Sequence, residues 1–514
     1  MPSWFMFAAG NAPLISVGSL DIVIIAIYFV VVLGIGIYLK KFVSTGEDFF
    51  MAGRKMTAWI AGLSFISANL SSLETMGWSA MAYQYGMLGA HAYLIGAIPA
   101  ILFLAIVMMP FYYICKTHSV PGYLKLRYGS SSALAGISFA LLTVLVSGAS
   151  MFGMAKILHL LLGWNMNVSI WVASLTVAVY VTLGGLISAV FNEVLQYFLI
   201  WFGSLLIPVL GLIDAGGWNG TLEKIRHNVP VIHPSVGSAN FTSLWRNLGS
   251  FDTNPMGIDW FGMVFGLGLA VSFGYWCTDF LQVQRVIVAK DLRSAQNGTI
   301  IGAVLKMLVP IIVTIPGLLG LAVLLNTDGS PLVLVPESDP RANITHHTFN
   351  DVLPMTIARE TTLPPRVEQQ GSSAVGRLLA PDVVLAGSNQ PDKFGLEGVP
   401  VVLLPGVKVK GVEVQQTFNP AEFNPAHTKC IARSEKAKPM AVNMYSAFWT
   451  LIICVSVLIG VSLFTEPKPE KELHNLVMGL TPLPDDGPVP WYKHPCVWAT
   501  VVVVVLAAIN VIFW

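Results

Sequence analysis

The chain is 514 residues long, 54% hydrophobic and only 11% charged, with a mean hydropathy of +0.68 and a formal net charge of +1. A soluble protein carries about twice that share of charge, so a soluble enzyme or binding module is excluded, and a balance this near neutral gives no reason to expect a nucleic-acid partner. Five scattered cysteines (Cys115, Cys277, Cys430, Cys454 and Cys496) show no spacing of a disulfide framework or a metal site.

Runs of roughly twenty apolar residues cross a bilayer. About ten occur, at 20–39, 57–83, 86–114, 133–162, 168–187, 192–214, 258–284, 299–325, 443–464 and 496–514. The expected fold class is therefore an all-α polytopic membrane protein with about 10 transmembrane helices, its partner the lipid bilayer. Residues 1–19 have no basic stretch ahead of the first apolar run, so no cleaved signal peptide is expected and the first span stays as a helix.

The second span carries the most informative local feature. Its middle reads Ser67-Ala68-Asn69-Leu70-Ser71-Ser72-Leu73-Glu74-Thr75. Charged and amide side chains at mid-depth cost a few kcal/mol each, and they usually face a cavity on a solute or ion path. Polar crowding of this kind predicts a helix that breaks half-way and exposes backbone carbonyls to a cation.

Basic residues in short loops set the orientation. Lys40, Lys41, Arg54 and Lys55 lie between the first two spans, Lys116, Lys125 and Arg127 between the third and fourth, and Arg285, Lys290 and Arg293 after the seventh. Counting spans puts all three loops on one side, the cytoplasm. The N- and C-termini are then expected to be extracytoplasmic, in a multi-pass protein of the cell membrane. Loop 215–257, with Trp218, His227 and Trp245, becomes an outer cap, and the stretch after 325 is also external. Lys156 and His159 fall near the outer end of the fourth span as snorkelling or interfacial residues.

The seventh span is interrupted like the second. It carries Gly262, Gly266, Gly268, Ser272 and Gly274, then Tyr275-Trp276-Cys277-Thr278-Asp279. An offset of five spans puts the two in opposite orientations, as expected for inverted repeats whose broken first helices meet at a central site. For Gly62 and Gly266 the alternative is close helix packing.

These residues resemble the sodium:solute symporter family. The likeness rests on Glu47-Asp48-Phe49-Phe50-Met51-Ala52-Gly53-Arg54 before the second span and Ser67-Ala68-Asn69 within it. It continues with Gly184-Gly185-Leu186-Ile187-Ser188-Ala189-Val190 entering the sixth span, and with Tyr275-Trp276, Gln284-Arg285, Ala289-Lys290 and Ala295-Gln296. It covers about 20–358 and 434–514. The resemblance implies a LeuT-like fold of two five-helix inverted repeats, and alternating access driven by sodium as the coupling ion, with no other cofactor. Carried over position by position, backbone carbonyls of Ser67 and Leu70 would hold sodium, a hard cation suited to oxygen. Glu193, where the family usually has Asp, would attract sodium leaving the site or stand as a solvated interfacial acid. The substrate pocket would draw on Glu74, Ser147, Ser272, Tyr275 and Lys306, with Tyr275 as an aromatic inner gate. Sugar carriers of the family tend to have amides at several of these places, and Glu74 and Ser272 depart from that. Lys306, about 10 Å into its span at 1.5 Å per residue, either contacts the solute or snorkels to the headgroups.

One departure is large. The family has a later helix whose adjacent serines complete the sodium site, but residues 359–440 hold no apolar run beyond short pieces such as Val383–Ala386 and Pro400–Pro405. About four spans are replaced by soluble sequence with β-like pieces at Val399–Leu404 and Val407–Val414, so the second repeat is expected to be incomplete. Three regions follow: a transporter core over 1–325, a long extracytoplasmic segment over 326–440, and a two-span membrane region over 441–514. The expected function is sodium-coupled symport of a small polar organic solute, a sugar or polyol favoured. A sodium site lacking its hydroxyl half would be weak, so the competing expectation is a transport-deficient remnant or a receptor-like membrane protein. No nucleophile elbow, Walker loop or metal-ligand histidine cluster points to an enzyme, and His346-His347 is too isolated to argue from.

Overall fold

The computed structural model describes residues 18–232, 241–246, 248, 256–323, 440–482 and 490–514, together with short strands between 332 and 431. His346-His347 and most of the 326–440 segment lie outside the described residues, and His227 falls on the helix at 217–232.

Among the described residues, seven helices are long and apolar enough to cross a membrane, and a bent pair adds an eighth. The first, α1 (Ser19–Leu39), is followed by the interrupted pair α2 (Ala58–Ser67) and α3 (Trp78–Tyr85). Next come α4 (Ala92–Ile114), α5 (Val120–Tyr128) and α6 (Ala135–Leu162). The run α7 (Met166–Ala215) carries the fifth and sixth apolar stretches without a loop, and α8 (Gly217–Ile232) is short and polar. The bent pair is α9 (Gly262–Thr278) and α10 (Phe280–Ile287), with 53° between them. Last come α11 (Leu292–Val323), α12 (Ala441–Phe464) and α13 (Pro495–Ile512). Each of the ten apolar runs thus becomes helix. The second and seventh are broken and the fifth is short, so fewer than ten qualify as uninterrupted spans.

The interruption of the second run has a local cause. Thr57 caps α2 by accepting from the Ile60 amide, and the helix ends at Ser67. The chain then turns tightly, with the Leu70 amide donating to the carbonyls of Ser67 (2.9 Å) and Ile66 (3.2 Å). A wide turn at Leu73–Gly77 restarts the helix. Run α7 bends at Gly185, whose φ of 57° and ψ of −152° suit glycine. A Cβ there would lie 2.7 Å from the Phe49 carbonyl oxygen, so the bend seats the Phe49 segment against α7.

The core lies where α11 crosses α2 and α3. A Cβ on Gly62 would meet the Gly298 carbonyl at 2.6 Å, so backbone lies almost against backbone. Gly266 of α9 is filled in the same way by Met444 of α12, whose carbonyl would be 2.5 Å from a Cβ. Both glycines serve close packing, the alternative reading of the interrupted helices. α12 is further tied to the start of α9: Tyr445 donates to Asp259, and Asp259 accepts from the Gly262 amide at 2.8 Å.

The all-α reading holds for the membrane region. Among the described residues between 332 and 431 there are nine short strands, seven of them in one sheet; they include Pro400–Leu403 and the hairpin of Lys408–Val409 with Val412–Glu413.

Candidate functional site

Glu74 stands on the wide turn after the break in α2, and Lys306 lies mid-way along α11. Both are buried, at 7% and 1% exposure, and the ammonium is paired directly with the carboxylate. The same ammonium donates to the Asn69 side-chain oxygen at the break itself. Tyr93 and Trp276 place their rings 4.8 and 5.4 Å from the nitrogen, adding cation–π attraction from α4 and α9. Lys306 therefore does not snorkel. Its charge is held inside the bundle by an acid, an amide and two aromatic faces.

The network continues across the bundle. Asn69 Nδ2 donates to the Tyr275 hydroxyl at 3.0 Å, and Gln282 Nε2 donates to the same oxygen at 3.2 Å. Tyr275 follows α9's glycine-rich run and Gln282 lies on α10, so the two interrupted helices touch through side chains at their breaks. Glu74, Lys306 and Tyr275 are brought together. Ser272 is buried one turn before Tyr275, but its hydroxyl is turned onto the Leu267 carbonyl (2.7 Å) and sits against Gly96. Ser147 is not brought in. It is exposed on α6, one turn before Ser150, whose carbonyl accepts from Ser72 at 3.2 Å.

Ser67 and Leu70 are both buried at the turn. The Ser67 carbonyl accepts from the Leu70 amide, while the Ser67 hydroxyl has no hydrogen-bond partner among the described residues. The buried, unmatched Ser67 hydroxyl and the carbonyls of the turn are oxygen donors of the kind a hard cation such as sodium takes. Glu193 lies elsewhere and is not a free acid. Its carboxylate takes Arg285 side-on, with Nη2 at 2.6 Å and Nε at 3.2 Å from both oxygens, and also accepts from the Ser64 hydroxyl. The solvated-interface alternative for Glu193 is thereby set aside.

Sequence reasoning placed Asn69 in the polar cluster without giving it a contact role, and it missed Tyr93, Gln282 and Ser64. Arg285 was legible only as part of a motif. The missing signal is register, because Tyr93 and Gln282 lie on helices where aromatic and amide residues are also ordinary packing residues.

Ten apolar runs, two broken helices joined at their breaks and a buried ion pair between them describe a multi-pass membrane protein with a polar centre inside its bundle. The sodium:solute symporter family profile matches residues 49–354, and the chain belongs to that family. It is 30% identical to the mouse sodium/glucose cotransporter 4 over 319 residues, 60% of this chain and 46% of that protein. Similarity to the human sodium/myo-inositol cotransporter is 28%, over 58% of this chain and 43% of the relative. Mouse solute carrier family 5 member 4A matches at 25% across 90% of this chain and 82% of its own length. The chain thus spans about half the length of the first two relatives it matches. A solved Na+-coupled sialic acid symporter, substrate-bound and outward-open, aligns with a TM-score of 0.49 at 24% identity, over 59% of this chain and 61% of that one.

Proposed function

We propose that this chain is a secondary active transporter that couples inward sodium movement to uptake of a small polar organic solute, a sugar or polyol favoured. The single observation that carries the reading is the buried Glu74–Lys306 pair, joined through Asn69 to Tyr275 at the breaks of α2 and α9. The pair is electrically neutral as a unit, yet it offers an acceptor and a donor at one place. A hydroxylated solute can bridge them without adding charge to the membrane interior, and the Tyr275 ring beside it can stack or block. The named activities of the glucose and myo-inositol cotransporters favour polyhydroxylated solutes.

Sodium, as cargo, would be held by the Ser67 and Leu70 carbonyls and the unmatched Ser67 hydroxyl. Coupling then has a physical basis. Cation and solute would engage the same tight turn, which Asn69 ties to Lys306, so whichever binds first orders that turn for the other. Cytoplasmic basic loops and external termini complete the orientation.

A second reading is a transport-deficient family member or a receptor-like membrane protein. It is favoured by one observation, the lack of any spanning run in the sequence 359–440, where the family resemblance implies a helix with the hydroxyl half of the sodium site. Purified full-length chain in liposomes decides between the two. Labelled glucose or myo-inositol accumulating only with an inward sodium gradient supports symport, and uptake no greater than in protein-free liposomes supports the second reading.

A further inference from the structure

The charge of Lys306 is received by a site with walls of its own. The Glu74 carboxylate and the Asn69 side-chain oxygen accept from the ammonium, and the rings of Tyr93 and Trp276 stand 4.8 and 5.4 Å from it. Each wall comes from a different element: the wide turn at Leu73–Gly77, the break after α2, α4 and α9. Lys306 reaches in from α11.

These walls are held by contacts that do not involve the lysine. Asn69 Nδ2 donates to the Tyr275 hydroxyl at 3.0 Å, which turns the amide oxygen towards the ammonium. The Tyr93 ring rests on Trp78 with 5.6 Å between centroids, and the Trp276 ring on Phe65 with 5.5 Å. Phe65 in turn fills the space at Gly302, one turn before Lys306, where a Cβ would lie 2.6 Å from its ring. A carboxylate, an amide oxygen and two aromatic faces converging on one point are the groups that bind an alkylammonium ion. Lys306 is such an ion, tethered to the chain.

We infer that Lys306 is a specificity-determining residue: it fills an ammonium-binding site from within, so a solute that bears its own cationic amine is refused there. Two ammonium groups at hydrogen-bond distance from one carboxylate repel each other strongly in a buried setting. A repulsive element of this kind is how a site discriminates against a competitor that its attractive groups would otherwise accept. Neutral hydroxylated solutes bring no such charge and meet the pair as a donor and an acceptor. The choice of solute rests on the transport reading, whereas the ammonium site can be tested without transport.

Lys306→Ala opens the site, because the side chain it removes beyond Cβ has the atoms of n-propylammonium. n-Propylammonium chloride is titrated into the purified full chain in detergent, with thermal unfolding and tryptophan fluorescence as readouts and n-propanol and potassium chloride as controls. Lys306→Ala is expected to bind the amine saturably and to melt at a higher temperature with it, while the parent shows neither effect. Adding Glu74→Gln to Lys306→Ala should weaken that binding by about tenfold or more. Adding Trp276→Leu instead should weaken it by about three- to thirtyfold. Should Lys306→Ala not elute as a single folded species, the amine is kept present from extraction onwards. Recovery with n-propylammonium but not with potassium chloride then supports the site, and recovery with neither overturns it. Equal stabilisation by n-propanol, or binding to the parent as tight as to Lys306→Ala, also overturns it. Vesicle uptake separates this inference from the transport reading. At mildly acidic pH, where its amine is protonated, glucosamine should accumulate in parent vesicles at least about tenfold less than glucose. Equal accumulation overturns the selective role. Absence of sodium-driven uptake of either sugar removes the transport reading, and the amine titration alone then decides the ammonium site.

Discussion

The ammonium of Lys306 and the carboxylate of Glu74 set the energetics of the site. Each charge is expensive alone in the bundle, and their pairing with Asn69 and two aromatic faces makes them tolerable. Lys306→Met should therefore destabilise the protein by about 3–5 kcal/mol, while Lys306→Met combined with Glu74→Leu should regain most of that loss. Thermal unfolding in detergent reads both, and equal losses would mean that the pair is not the stabilising unit. A second residue-level effect lies outside the membrane. Hydrogen bonds from Thr45 and Ser44 lower the Asp48 carboxyl pKa to about 2. Because the folded value is depressed below the ordinary one, its contribution is present above the usual carboxylate range and disappears as pH falls through about 2. Amide exchange in Gly46–Met51 should hold steady between neutral pH and the ordinary carboxylate range and lose its Asp48-dependent protection only below it. Asp48→Asn should show that loss at neutral pH.

At the scale of elements, the breaks were legible and their partners were not. Ser67–Thr75 announced an interrupted span because polar residues at mid-depth need company. The glycine-rich seventh span announced another, although there Gly266 turned out to seat Met444 of α12. Packing of that kind is set by tertiary contact, and no periodicity in α9 or α12 encodes it. Gly184-Gly185 was visible as a motif, while its function as the bend of α7 required the backbone angle. Gly185→Ala must adopt a φ of 57° with a ψ of −152° and place a Cβ 2.7 Å from the Phe49 backbone. The expected cost is about 1–3 kcal/mol for the backbone strain alone, with added proteolysis in the Phe49 segment. Unchanged melting would show that α7 can straighten.

For the whole molecule, hydropathy carried the membrane class, and family motifs carried the ancestry. The site was legible in part. Glu74, Tyr275 and Lys306 converge, Ser272 lies one turn away turned onto backbone, Ser147 faces outward, and Glu193 is bound to Arg285. The reason is geometric: a position carried over from a family fixes a residue's depth, but side-chain direction depends on helix rotation and on which neighbours are present. Residues 359–440 bear most on this, because the sequence there offers no spanning helix to face the turn at Ser67 and Leu70.

The central claim is that the turn and the Glu74–Lys306 pair still couple sodium to a solute in this chain. The most direct test is uptake of labelled glucose and myo-inositol into liposomes holding the purified full chain, with and without an inward sodium gradient. Accumulation above equilibrium that needs sodium and is lost in Lys306→Met is the expected result. Solute entry that ignores sodium, or no entry by a chain shown to be folded, would contradict it.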